Sequence, residues 1–147
     1  MNIGITNDHR GLKVKQYLTE YLESLGYNVI DYGVDSEEPA DFPDYAKKLG
    51  LGIKANEVEL GIAICGTGIG MSIALNKMKD IYCAKVSTTS EAALCRSHNN
   101  ANAIAISEEM DSELMKEVIR TYIETPFSNI DRYKTRNNKI KDIENNV

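Results

Sequence analysis

The sequence predicts a single-domain α/β protein of three layers, Rossmann-like in build, with a five-stranded parallel sheet and helices on both faces. Two observations carry that prediction. Short apolar runs alternate with longer stretches of helical pattern, which is the signature of strands joined by helical crossovers. The chain also has 147 residues with no repeat, low-complexity tract or linker, enough for one core and about the size of one domain. Residues 1–147 are therefore read as one unit.

The elements follow in order. Asn2–Thr6 is a short apolar strand. Leu12, Leu18, Leu22 and Leu25 mark a helix that stops near Gly26. Tyr27–Asp31 is a second strand. Gly33–Pro43 carries acidic residues and two prolines, so it reads as a loop, with a helix over Tyr45–Ala55. Leu60–Ile64 is a third strand, followed by the turn Cys65–Gly70 and a helix-like stretch, Met71–Lys77. Ile81–Val86 is the fourth strand. Thr89–Arg96 is a helix capped by Ser87 or Thr88. Ala103–Ile106 is the fifth strand. Asp111–Glu124 is a helix with Leu114, Val118, Ile119 and Tyr122 on its apolar face, ended by Pro126. A basic segment, Arg132–Lys141, precedes an acidic, Asn-rich tail; residues 131–147 are expected to form a helix and tail beside the site or at a dimer contact.

Composition narrows the class. The net charge of −5 speaks against a nucleic-acid protein, which usually presents a basic face. No apolar run approaches the roughly 20 residues that span a bilayer. The start lacks the basic head and long apolar stretch of a signal peptide. Cytoplasmic residence with no membrane partner is the expectation. Three cysteines without a CxxC pair speak against a disulfide framework and a structural zinc site. Cys83 and Cys95 lie in strand and helix interiors, where packing is the better reading.

In open parallel sheets, ligands gather beyond the carboxyl ends of the strands. Cys65-Gly66-Thr67-Gly68-Ile69-Gly70 lies there. Glycines allow a tight turn and close approach of a ligand, and the free N–H groups of a helix start favour anions and thiolates. Cys65 is thus a candidate base or nucleophile beside an anion hole; the plainer reading is a small buried hydrophobe. The segment lacks GxGxxG spacing, so a dinucleotide site is disfavoured, and no Gly-Lys-Ser/Thr follows, which excludes a P-loop. Asp8-His9-Arg10-Gly11 offers an acid, an imidazole and a cation for phosphate or hydroxyl binding, or else a helix-capping Asp with solvated neighbours. Arg96–Asn102 places His98 among three asparagines, suited to sugar hydroxyls or to a helix C-cap. Arg132 and Arg136 share one helical face, suited to a phosphate or to plain solvation.

Together, Asp8-His9-x-Gly11, Cys65-Gly-Thr-Gly-Ile-Gly70, His98-Asn99-x-Ala101-Asn102 and Arg132-x-x-x-Arg136 resemble the ribose-5-phosphate isomerase B family over essentially the full length. The resemblance implies interconversion of ribose 5-phosphate and ribulose 5-phosphate through an enediolate, with no metal or organic cofactor. The wider family includes isomerases of galactose 6-phosphate and allose 6-phosphate. Six-carbon and four-carbon sugar phosphates therefore stay open as substrates, as does a catalytically silent sugar-phosphate regulator.

By resemblance, Cys65 is the base that moves a proton between C1 and C2, and Thr67 donates or relays a proton to the sugar oxygens. His98 with Asp8 opens the furanose ring, and Asn99 holds sugar oxygens. The backbone of Gly66, Gly68, Ile69 and Gly70 faces the enediolate oxygen. His9, Arg132 and Arg136 bind the phosphate, and Tyr45 lies near the site. Family members work as homodimers or dimers of dimers with sites built between subunits. The two-subunit relative divides the cysteine turn and the His-Asn segment between its chains; this chain has both, which implies a homodimer. Five positions depart from the family pattern: Arg10 where a small residue is usual, Asn100 for Asp, Ile130-Asp131 for Gly-Gly, and Tyr133 for His. Arg10 is read as a further phosphate contact.

Overall fold

A computed structural model describes residues 1–147. The strands are β1 (Asn2–Asn7), β2 (Asn28–Asp31), β3 (Leu60–Cys65), β4 (Cys83–Lys85) and β5 (Ala103–Ser107). All pairings are parallel, and the order across the sheet is β2-β1-β3-β5-β4. The helices are α1 (Leu12–Ser24), α2 (Phe42–Lys54), α3 (Ile69–Asn76), α4 (Thr89–Ser97), α5 (Ser112–Glu124) and α6 (Asp131–Asn146). A single 3-10 turn, His9–Gly11, joins β1 to α1.

Alternation along the strands sorts the core into two layers. Ile3, Ile5, Ile62, Ile64, Ile104 and Ile106 face α1, α4 and α5, where they meet Leu18, Leu22, Ala92, Val118, Ile119 and Tyr122. The intervening small residues Ala63, Cys65, Ala103 and Ala105 face Leu49, Met71 and Leu75 of α2 and α3. Each fully buried Ile or Leu contributes roughly 1.5–3 kcal/mol. The small side chains let α2 and α3 lie close to the sheet, and they put the Cys65 thiol on the α3 side.

Several boundaries differ from the sequence reading for identifiable reasons. α2 begins at Phe42, taking Pro43 out of the expected loop; a first-turn proline gives up an N–H that has no helical partner anyway. β2 starts at Asn28 because the Tyr27 N–H turns back to Leu22 O. β4 is only Cys83–Lys85, since the Ile81 N–H goes to Met78 O and the Tyr82 N–H to the Asn102 side chain. α3 starts at Ile69, so Gly70 is helical rather than part of the turn. Between the two candidate caps of α4, Thr88 is the one used. Its hydroxyl accepts the Glu91 N–H, and the Glu91 carboxylate accepts the Ser87 N–H.

The largest difference is α6. It runs through the stretch read as a tail, yet none of its residues is buried. Polar contacts hold it. Glu144 accepts from Asp80 N–H and from Tyr82 hydroxyl, Lys141 lies 3.6 Å from Asp80, and Asn137 donates to His98 O. No helix is long and apolar enough to cross a membrane.

Candidate active site

Cys65 is the last residue of β3 and is buried, and its Sγ accepts the Gly68 N–H at 3.2 Å. Gly68 reaches that position at φ +83°, and a Cβ there would meet the Ile106 backbone at 3.0 Å, so the turn needs glycine. The Thr67 hydroxyl accepts the Ile69 N–H, and the Ser107 hydroxyl donates to Gly66 O. The N–H groups of Gly66 and Thr67 find no acceptor within the chain. Gly70 sits where Phe42 presses against the first turn of α3; a Cβ would come 2.6 Å from that ring.

The β1 end lies beside this turn, because β1 and β3 pair up to Asn7 and Ile64 and the Asp8 N–H donates to Ile64 O. Asp8 is buried, and one carboxylate oxygen caps the 3-10 turn by accepting the Arg10 N–H. The capping role therefore holds for Asp8 and leaves its other oxygen without a protein donor. His9 Nδ1 accepts the Ala40 N–H at 3.1 Å, which puts the proton of the neutral imidazole on Nε2, free to donate. Tyr45, in α2, is tied to the same strand end through its carbonyl, which accepts the Thr6 hydroxyl.

Arg10, read as a further phosphate contact, is paired within the chain. Its Nε and Nη2 lie 2.9 and 2.6 Å from Glu108 Oε1, and this partner holds the guanidinium all the more firmly protonated. Sequence reading missed this pair because Glu108 follows β5, far along the chain.

The second constellation lies elsewhere. His98 caps the C-terminus of α4, and its imidazole stacks on Tyr133 at 4.1 Å and 17°. The Arg132 and Arg136 guanidinium carbons lie 4.7 and 5.9 Å from the centre of the same ring. Asn137 donates to His98 O and accepts from Asn99. Asn100 adopts φ +51°, the left-handed cap conformation, and its side-chain oxygen accepts from Arg96. That explains the Asn at this position: it closes the helix and faces Arg96. Tyr133 and Asn137 entered no sequence-based site; their i, i+4 spacing on the helix that carries Arg132 and Arg136 was the available signal.

The two constellations occupy opposite ends of the sheet. Cys65 pairs with Ser107 at the carboxyl ends, whereas Gly61 pairs with Ala103 at the other. α4 runs back from β4, so His98 and Asn99 lie by the start of β5, where Asn102 bonds Tyr82 and Gly61. The four steps from Ala103 to Ser107 span about 13 Å of strand. One chain thus brings Asp8, His9, Cys65, Thr67 and Tyr45 to one end, and His98, Asn99, Arg132 and Arg136 to the other. A cavity of about 400 Å³ opens on the second side, lined by Asn76, Tyr82, Cys83, Asn99, Asn137 and Ile140 among others. No three His, Cys, Asp or Glu side chains gather closely enough to hold a metal.

Fold and site define an open-sheet α/β protein with a thiol in a glycine turn, beside unpartnered N–H groups, at the carboxyl ends of its strands. Comparison with known proteins makes the class specific. Residues 3–140 match the Ribose/Galactose Isomerase family, and the chain belongs to it. It is 38% identical over 146 residues to a putative sugar phosphate isomerase of Bacillus subtilis, YwlF, covering 98% of this chain and 97% of the relative. It is 38% identical over 117 residues to ribose-5-phosphate isomerase B of Escherichia coli, covering 79% of this chain and 78% of that one. Among solved structures, ribose-5-phosphate isomerase B of Clostridium thermocellum superposes with a TM-score of 0.95 at 38% identity, over 99% of this chain and 98% of the other. The Mycoplasma genitalium enzyme with bound ribulose 5-phosphate superposes at 0.93 with 34% identity, over 99% and 97%.

Proposed function

We propose that this chain is an aldose–ketose isomerase that interconverts ribose 5-phosphate and ribulose 5-phosphate, with Cys65 as the proton-transferring base. The observation that carries the proposal is the Cys65 turn. The thiol accepts one backbone N–H, and two further N–H groups beside it have no partner. That set suits a thiolate and a developing enediolate oxygen together.

In this reading the thiolate removes the C2 proton of the open aldose, and the electron pair moves to the C1 carbonyl oxygen. The Gly66–Gly70 backbone stabilises the enediolate. Thr67 relays a proton between O1 and O2, and the Cys65 thiol returns its proton to C1. Before that, His98 takes the anomeric hydroxyl proton and Asp8 serves the ring oxygen. His9, Arg132 and Arg136 hold the phosphate, with Tyr45 beside it and Asn99 on the sugar oxygens.

Since one chain separates these groups, the complete site is shared between the subunits of a homodimer. Exposed apolar residues support a contact there. Ile69 and Ile73 on α3 are 55% and 58% exposed, and Ile69 directly follows the Cys65 turn. A second copy seated on α3 brings its His98 group against the first copy's thiol. A phosphorylated substrate fits a cytoplasmic enzyme, and residues 1–147 act as one domain.

Turnover of ribose 5-phosphate in deuterated water tests the reading. Wild-type protein should yield ribulose 5-phosphate and place solvent deuterium on carbon, and Cys65→Ala should do neither while unfolding at the same temperature. Exchange at wild-type rate in Cys65→Ala would remove the role assigned to the thiol.

A further inference from the structure

We propose that Tyr133 is a positioning residue whose ring holds the His98 imidazole and the Arg132 and Arg136 guanidinium groups in one array. The inference rests on the reading of His98 and the arginines given above and adds the part that arranges them. Tyr133 replaces the histidine usual at this position, and no role is otherwise assigned to it.

Three groups meet one ring. The imidazole stacks on it at 4.1 Å, nearly parallel. Arg132 and Arg136 both lie within cation–π reach, and Arg132 Nη2 also donates to the Tyr133 hydroxyl at 3.2 Å. Without an intervening group, two cations at i, i+4 on an exposed helix repel and splay. The negative quadrupole of a shared ring draws both cations to one place. Four residues further along, Asn137 holds the His98 carbonyl and the Asn99 amide. Ring and amide together clamp the 98–99 turn to α6 at two points. The clamp matters because α6 buries no residue of its own; its register against α4 depends on such contacts.

Two variants separate ring from hydroxyl. Tyr133→Phe keeps the stack and both cation contacts and loses one hydrogen bond. Tyr133→Leu loses the array on a helix whose residues are all at least partly exposed. Kinetics with ribose 5-phosphate, inhibition by inorganic phosphate, and the proton spectrum of the imidazoles are recorded for each. The chain has two histidines, and His98→Asn identifies which signal is which.

Tyr133→Phe should stay within about threefold of wild type in kcat and KM, while Tyr133→Leu loses about tenfold or more in kcat and weakens phosphate inhibition about tenfold. The His98 signal should lose its ring-current displacement in Tyr133→Leu alone, and the His9 signal should stay put. Wild-type constants in Tyr133→Leu, or equal impairment in Phe and Leu variants, overturn the proposal. A wild-type protein that turns over no sugar phosphate overturns the proposed reaction instead, and the imidazole spectrum still reads the array.

Discussion

The Arg10 guanidinium reaches across the mouth of the Cys65 turn to the Glu108 carboxylate, with 2.6 Å between Nη2 and Oε1. Arg10 follows β1 and Glu108 follows β5, the two strands that flank β3. The pair therefore spans the strand that carries the thiol, and a Cβ on Gly66 would lie 3.4 Å from Arg10 Nη1. A cation already neutralised in this way has little left for a phosphate. Arg10→Ala should raise KM for ribose 5-phosphate less than about threefold, whereas Arg136→Ala raises it about tenfold or more. The pair is half exposed on the Arg10 side, so the melting temperature should barely move. Equal KM effects at Arg10 and Arg136 would return Arg10 to the phosphate site.

A site shared between copies makes a sharper prediction. Cys65→Ala and His98→Ala should each lose at least about a hundredfold in kcat, the usual scale for a missing acid or base. Mixed and allowed to exchange subunits, the two inactive proteins should regain activity. Random pairing in a two-fold dimer gives up to about a quarter of the wild-type value, because half the dimers hold one intact site of two. No recovery in a mixture that mass spectrometry shows to contain heterodimers would mean that each chain works alone.

The two remaining thiols predict an alkaline weakness. Burial pushes Cys83 up to about 12 and Cys95 up to about 11, from an ordinary 9.0. The folded chain thus keeps protons that the unfolded chain releases. This stabilisation is complete below pH 9 and is lost as pH rises through those values. Melting temperature should fall between pH 9 and 11, and less steeply in the Cys83→Ala, Cys95→Ala double variant. Identical slopes would place the alkaline sensitivity elsewhere.

Tyr122 is fully buried, and its hydroxyl has no hydrogen-bond partner. The nearby Gly61 N–H is already given to Asn102 O. A buried hydroxyl without a partner costs about 1–3 kcal/mol. Tyr122→Phe should therefore leave stability unchanged or raise it by about 1 kcal/mol, read by urea denaturation. A loss larger than about 1 kcal/mol would reveal a partner for the hydroxyl.

What the sequence made legible was local. Leu60–Ile64 followed by Cys65-Gly66-Thr67-Gly68 shows a strand and its turn because burial and backbone conformation there are written in neighbouring residues. α6 was only half visible, since Ile140 and Ile143 stay exposed and polar contacts from Glu144 and Asn137 hold it. The ion pair of Arg10 was out of view because its partner is 98 residues away. The distance between Cys65 and His98 was hidden for a related reason. Chemistry groups them by function, and only the return path of α4 puts them at opposite ends.

One side chain closes the sheet on its β4 side. The Asn76 amide donates to Cys83 O and accepts the Cys83 N–H, each at 2.8 Å, as a neighbouring strand would. β4 is an edge, and an open edge invites pairing with any extended chain. With its first outward-facing position occupied, this strand is a poor template for lateral growth, and association is left to the helical surfaces. A change at Asn76 would then be felt during expression, as protein lost to the insoluble fraction, before it was felt in any assay.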